Sequence, residues 1–233
     1  MGTFGGPYIV TDGLVFVADA GNTNCYIPGE TTLTDLIGGV DMTFATGGVS
    51  YSPLGGGCWD FDGSYNDYIA ADNGDLFNFD GSTDAFSVAA WVRLSSLSGP
   101  DTVIGRMVGP GTQKGWNCYV HDTVDGVAIK LWLDAEDYAS YTSSKTYVDE
   151  WRFLCWTYEG GTGTIYEDGV FGDEATNYGA RPTPVAATTM RFGLDDWSSE
   201  IKGKIAMVTI YDKVLSGTEV LQNYNSQKSR FGL

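Results

Sequence analysis

Apolar and polar positions along this chain recur with a period of two. Residues 86–94, FSVAAWVRL, put Phe86, Val88, Ala90, Val92 and Leu94 on one face and Trp91 and Arg93 on the other, the pattern of a β-strand. Residues 150–159, EWRFLCWTYE, carry apolar and aromatic side chains on both faces, which predicts a central strand covered by a layer on each side. Residues 125–134, DGVAIKLWLD, and 202–212, KGKIAMVTIYD, read as two further apolar strands. Turn chemistry falls between these runs. Asp125-Gly126 and Asp168-Gly169 suit tight hairpins, because glycine takes positive φ without steric cost. Gly160-Gly161-Thr162-Gly163 separates two more strands, and Asp62-Gly63 and Asp80-Gly81 mark others. Many short strands spaced by such turns predict an all-β sandwich or barrel.

One segment breaks this period. Ser216-Gly217-Thr218-Glu219 is a capping box, after which Val220, Leu221 and Tyr224 form an apolar stripe. The serine hydroxyl can accept from the Glu219 backbone N–H while the glutamate reaches back. The spacing predicts one short helix from Gly217 to about Lys228, closed by Gly232. Residues 12–233 show no linker, no composition break and no repeat, and read as one domain. Residues 1–11 read as an N-terminal arm. The first dozen residues, glycine-rich and without a core-forming run, are expected to lie against a partner subunit rather than in the sandwich.

Composition sharpens the class. Glycine is 32 of 233 residues, about twice the average share of roughly 7%. Charged residues are only 18%, too few for long solvent-exposed helices. The net charge of −17 would repel phosphate backbones, which excludes nucleic-acid binding. It also disfavours anionic membrane surfaces and favours cations or a basic partner. No apolar stretch reaches the roughly 18 residues that a membrane span needs. The opening, MGTFGGPYIVTDGLVF, lacks a basic n-region and an apolar h-region. It is therefore not read as a signal peptide, and the chain is expected to start in a cytoplasm or to have been trimmed.

Candidate chemistry is sparse. Cys25, Cys58, Cys118 and Cys155 form no CxxC or zinc-like spacing and read as buried free thiols. His121 is the sole histidine, so any Ser-His or Cys-His machinery must use it; beside a DG turn, it reads as an exposed turn residue. Asp134 and Glu136 are the nearest alternating carboxylate pair and read as a solvated loop, and Glu167-Asp168 belongs to a hairpin turn. Most tryptophans read as packing residues. Trp197 differs, because it sits in a polar acidic loop, and is a candidate sugar-stacking platform; Tyr138 and Tyr141, in EDYASYTSS, are a second. Two loops are rich in the oxygen ligands that Ca²⁺ prefers: Asn66-Asp67, and Asp195-Asp196 with Glu200.

Five blocks in order carry a family resemblance: FDGSYNDYIA (61–70), FSVAAWVRL (86–94), WRFLCWTYEGGTGTIYEDGV (151–170), MRFGLDD (190–196) and KGKIAMVTIYDKVLSGTEV (202–220). Together they resemble the laminin-G-like, concanavalin A-like lectin/glucanase superfamily. That resemblance implies a two-sheet antiparallel jelly-roll sandwich with one short C-terminal helix. Ala206 stands where many relatives carry Asp, which removes a local ligand or hydrogen-bond acceptor. The family's hydrolase pattern, E-x-D-x-x-E, does not occur. Retaining hydrolysis needs two carboxylates about 5–5.5 Å apart, so the chain is expected not to be an enzyme. In the related pentraxins, calcium lies between loops at the places held here by Asn66-Asp67 and Asp195-Asp196.

The opening (4–39) and the ending, LQNYNSQKSRFGL (221–233), resemble virion-associated proteins of tailed phages, often marine ones. That narrower resemblance implies a virion structural protein of head-decoration, neck or fibre-tip type, assembled in the host cytoplasm. Its expected partners are other virion proteins, host glycans and, as a homo-oligomer, further copies of itself. The alternative is a secreted or cell-surface bacterial carbohydrate-binding module.

Overall fold

The computed structural model describes residues 8–45, 48–71, 77–97, 99–108, 114–124, 126–134, 136–176, 181–184, 188–195 and 199–233, with 136–138 described by backbone alone. Its strands, numbered in chain order, form two antiparallel sheets packed face to face. The first sheet runs β14 (Val170–Thr176), β13 (Thr162–Glu167), β12 (Arg152–Glu159), β7 (Phe86–Leu94), β16 (Lys202–Tyr211), β5 (Cys58–Asp62) and β4 (Val49–Ser52). Beyond β5, the same edge of β16 also pairs with β1 (Leu14–Asp19). The second sheet runs β11 (Glu136–Ser143), β10 (Gly126–Leu133), β9 (Lys114–Thr123), β8 (Pro100–Val108), β15 (Arg191–Phe192), β6 (Ile69–Ala71), β3 (Asp41–Phe44) and β2 (Thr32–Thr34).

The sequence period explains the layers. Phe86, Val88, Ala90, Val92 and Leu94 of β7 enter the core between the sheets, as do Trp116, Cys118 and Val120 of β9 and Ile129, Leu131 and Leu133 of β10. The alternate residues at the centre of the first sheet do not face water. Trp91, Phe153, Cys155 and Ala206 build a second core on its outer face, under the C-terminal helix. The strand expected to be covered on both sides is so: residues 153–158 of β12 are all buried. Ala206 is fully buried in this second core, at a bulge in the pairing of β16 with β7. An uncompensated aspartate at such a site would be costly.

The helix α1 (Gly217–Gln227) starts with the expected capping box, Glu219 N–H donating to Ser216 Oγ and Ser216 N–H to Glu219 Oε2. A 3-10 turn, Lys228–Phe231, follows, and Gly232 takes the left-handed conformation that ends it. Tyr224 and Phe231 both stack on Trp91, with ring centroids 5.8 and 4.1 Å apart. The two-residue hairpin at Asp168-Gly169 has positive φ at both positions (52° and 78°), as a type I′ turn requires.

Two expectations are corrected. Residues 8–12 do not stand clear of the sandwich. Val10 is buried, its N–H donating to Asn223 Oδ1 and its carbonyl accepting from the Tyr211 hydroxyl. Residues 1–7 of the arm lie outside the described residues. His121 is half-buried within β9 rather than exposed in a turn. The four cysteines are free and buried, as read.

Candidate functional site

The second sheet has no helix over its outer face among the described residues. Because Trp116, Cys118 and Val120 point inward, Asn117, Tyr119 and His121 of β9 point outward. In β10 the outward positions are Ala128, Lys130 and Trp132, and in β15 Arg191. Tyr119 and Trp132 meet with ring centroids 6.1 Å apart, tilted by 54°, and the Lys130 ammonium lies 5.9 Å from the Tyr119 ring. Arg191 lies over the ring of Tyr68 at 4.9 Å. Asn117 donates to Asp195 Oδ2 (2.9 Å) and to Thr102 Oγ1 (3.1 Å), and the Ser199 N–H donates to Asp195 Oδ1 (3.1 Å). These bonds hold Asp195 and Ser199 against the face. On this face Trp132, Lys130, His121 and Arg191 are half-exposed, whereas Tyr119, Asn117 and Ala128 are buried.

Only part of this was anticipated. Trp197 and Asp196 lie outside the described residues, and so does the side chain of Tyr138. Tyr138 is the unpaired residue of a β-bulge, since Leu131 pairs with Ala139 and Trp132 with Asp137. Tyr141 is corrected. It pairs in register with inward-facing Ile129 and packs half-buried against the main core, so it offers no open platform. Tyr119 and Trp132 were missed, although strict alternation in WNCYVHD and VAIKLWL places both on the outer face.

The oxygen-rich loops separate in space and in role. Asn66 is exposed, Glu200 half-buried, and Asp67 buried. The Asp67 carboxyl hydrogen-bonds that of Asp62, an acid the cation reading had not included. Burial first, and then this neighbour, push the Asp67 pKa up to about 6. The bond from Asp67 first, and then those from Ser64, hold Asp62 below the usual carboxylate range. Asp67 Oδ2 is buried and accepts no hydrogen bond. Asp195, by contrast, is committed to Asn117 and Ser199. Among the described residues no three His, Cys, Asp or Glu side chains gather as a metal cage. Asp62 and Asp67 are the described acids that a cation would bridge.

Two of the remaining acids, Asp134 and Glu167, are structural, and the side chain of Glu136 lies outside the described residues. Asp134 Oδ1 accepts from Gly115 N–H (2.9 Å), and its other oxygen bonds Thr183 Oγ1. Glu167 is more than a turn residue: it is buried, accepting from Ser143 Oγ and from the Tyr147 hydroxyl (2.6 Å), with Lys145 at 3.5 Å. Burial, then the Glu167 charge, raises the Tyr147 pKa well above its ordinary value.

Comparison with known proteins fits this geometry. A family model described as the Concanavalin A-like lectin/glucanases superfamily matches residues 61–221. No curated protein sequence matches the chain. Among solved structures it is similar to domain 4 of AbnA, an extracellular arabinanase from Geobacillus stearothermophilus, in complex with arabinotriose. That match has 19% identity and a TM-score of 0.66, covering 91% of this chain and 98% of that one. It is also similar to the binding domain of Botulinum Neurotoxin serotype G (18%, TM-score 0.68, 91% of this chain, 50% of that one). Trypanosoma rangeli sialidase gives 16% identity and a TM-score of 0.68, with 95% of this chain matched to 34% of that one. The chain thus spans half or less of the toxin and sialidase chains, and at these identities the likeness is one of fold.

Proposed function

This chain belongs to the Concanavalin A-like lectin/glucanases superfamily, and from that premise we propose that it is a non-catalytic, glycan-binding β-sandwich of a phage virion. It would serve as a structural component of head-decoration, neck or fibre-tip type, held by other virion proteins and presenting its sandwich to host-surface glycans. One observation carries the glycan reading: the outer face of the second sheet presents a half-exposed Trp132, backed by the buried ring of Tyr119, with half-exposed Lys130 and Arg191 on the same face. Aromatic faces stack on sugar C–H groups, and amides and cations take the hydroxyls. Outward positions described on β8, β9 and β10 carry no alternating carboxylate pair for glycoside hydrolysis. The virion reading draws on the opening and ending blocks of the sequence.

The test has two arms. On an array of bacterial surface glycans, the full chain should bind a defined subset; Trp132→Ala should remove the glycans held at this face, and Trp132→Phe, which keeps a ring, should restore part of that binding. Mass spectrometry of purified phage particles should then find this chain. A second reading, a secreted or cell-surface bacterial carbohydrate-binding module, is favoured by the match to 98% of an arabinanase domain solved with arabinotriose. Recovery of the chain from culture supernatant, and never from particles, would favour that reading.

A further inference from the structure

The sandwich has an open end where both sheets stop. There β4 terminates the first sheet, β2 terminates the second, and β3 lies beside β2. Between them runs a groove of about 740 Å³, within the usual range of roughly 300–1,000 Å³ for small-molecule sites. It is remote in topology from Tyr119 and Trp132, which sit on strands near the other end of the second sheet.

Its walls are aromatic. Tyr26 stacks on Phe44 (5.4 Å between centroids, 14°) and leans on Tyr51 (5.9 Å, 38°). Tyr26 is buried and braced from behind by Trp59, whereas Phe44 and Tyr51 are half-exposed and give the groove its ring surfaces. The rim is polar: Glu30, Thr31 and Ser50 are exposed there. The loop that carries Glu30 is pinned. The Tyr26 hydroxyl donates to the Glu30 carbonyl (3.2 Å) and accepts from Gly29 N–H (3.3 Å), and Glu30 N–H donates to the Ile27 carbonyl (3.0 Å). The groove is therefore built before any ligand arrives, which lowers the ordering cost of binding.

We infer that this groove is a second carbohydrate site, and that its ligand is a short uncharged oligosaccharide. Ring faces beside a carboxylate and hydroxyls suit the two surfaces of a sugar, C–H on one side and O–H on the other. Glu30 is the one charged side chain among the described lining residues, and it is negative. An acidic sugar or a phosphate would meet no counter-charge there, on a chain already at −17. The inference rests on the glycan-binding reading above, and its test separates the two.

The full chain is titrated with neutral arabino-, galacto-, gluco- and manno-oligosaccharides and with sialyllactose, followed by calorimetry and by NMR of labelled tyrosine. A neutral sugar should bind and shift the Tyr51 signals. Tyr51→Ala should weaken that binding at least about tenfold, and Glu30→Gln by roughly three- to tenfold. Ser50→Trp, an exposed substitution that fills the groove without touching the core, should block it, while Trp132→Ala leaves it intact. Melting curves confirm that each variant is folded. Neutral-sugar binding that survives Ser50→Trp and fails in Trp132→Ala overturns the groove and upholds the glycan-binding reading. Binding of sialyllactose alone overturns the neutral-glycan assignment. Absence of binding to every sugar overturns both.

Discussion

Asp35 shows how one side chain can hold a loop and a sheet together. Buried after β2, its Oδ1 accepts from Val17 N–H on β1 (3.0 Å) and Ile37 N–H (2.9 Å); its Oδ2 accepts from Gly38 (2.8 Å) and Val40 (3.2 Å). Removing it strands these donors, and hydrogen bonds to a charged group contribute about 1.5–3 kcal/mol each. Asp35→Ala should cost about 3 kcal/mol or more, a fall in Tm of roughly 6–12 °C for a chain of this length; Asp35→Asn, which keeps one acceptor, should cost less. A change within a degree would show that water replaces the carboxylate. Asp67 gives a pH dependence of definite sign. Its folded pKa of about 6 stands above the ordinary 3.8, so the folded state holds the proton more tightly. Stability from this group is full below about pH 4 and is lost as pH rises through 6. In chelator, Tm should therefore drop by several degrees between pH 4 and 7. Asp67→Asn, which keeps a donor for Asp62 without titrating, should remove that drop. Calcium at matched ionic strength should raise the wild-type Tm at pH 7.5 and leave Asp67→Asn unmoved; superimposable wild-type curves with and without calcium would remove the cation from the site.

At the scale of elements, the C-terminal helix completes the outer layer of the first sheet rather than decorating it. Asn223 is buried and joins Val10 N–H to the Tyr211 hydroxyl, tying helix, N-terminal segment and β16 together. Arg230 clamps the following turn, bonding Asp19 Oδ1 (2.7 Å) and the carbonyls of Gly55 and Gly57. Space there is tight: a Cβ on Gly57, already at φ +123°, would lie 2.7 Å from Gly21 Cα. Ser216→Ala should cost about 1 kcal/mol through the lost cap, or a Tm fall of roughly 2–4 °C, and Asn223→Ala more, because it leaves the buried Val10 N–H unpaired and removes one of the two bonds of the Tyr211 hydroxyl. An Asn223→Ala variant as stable as Ser216→Ala would show that the N-terminal segment docks by apolar contact alone. The long strands and this helix were legible because each carries its own signal: alternation in FSVAAWVRL, two-sided burial in RFLCWTYE, the capping box at Ser216. The short strands β2 and β3 were not, since three or four residues hold too little period to register, and β6 and β15 were legible only through the family blocks at 61–70 and 190–196. Tyr141 shows the same limit at the site. Its run, EDYASYTS, crosses a bulge, and the facing of a strand beyond a bulge cannot be counted from the residues before it.

For the whole molecule, two sheets and two cores make the frame, and among the described residues no helix covers the outer face of the second sheet. The acids that the sequence put forward for chemistry are mostly spent inside the fold: Glu167 on Tyr147 and Ser143, Asp134 on a turn, Asp195 on Asn117. The rings that face outward, Tyr119 and Trp132, stand without a carboxylate pair among the outward positions described on β8, β9 and β10. Under the proposed function this face binds without turnover. The most direct measurement is a prolonged NMR titration of the full chain with the oligosaccharide that an array selects, because one tube reads both association and cleavage. The predicted result is saturable binding at the Trp132 face, lost there in Trp132→Ala, with the sugar intact after days. Release of a reducing end, or no change in any protein signal across the glycan set, would contradict it.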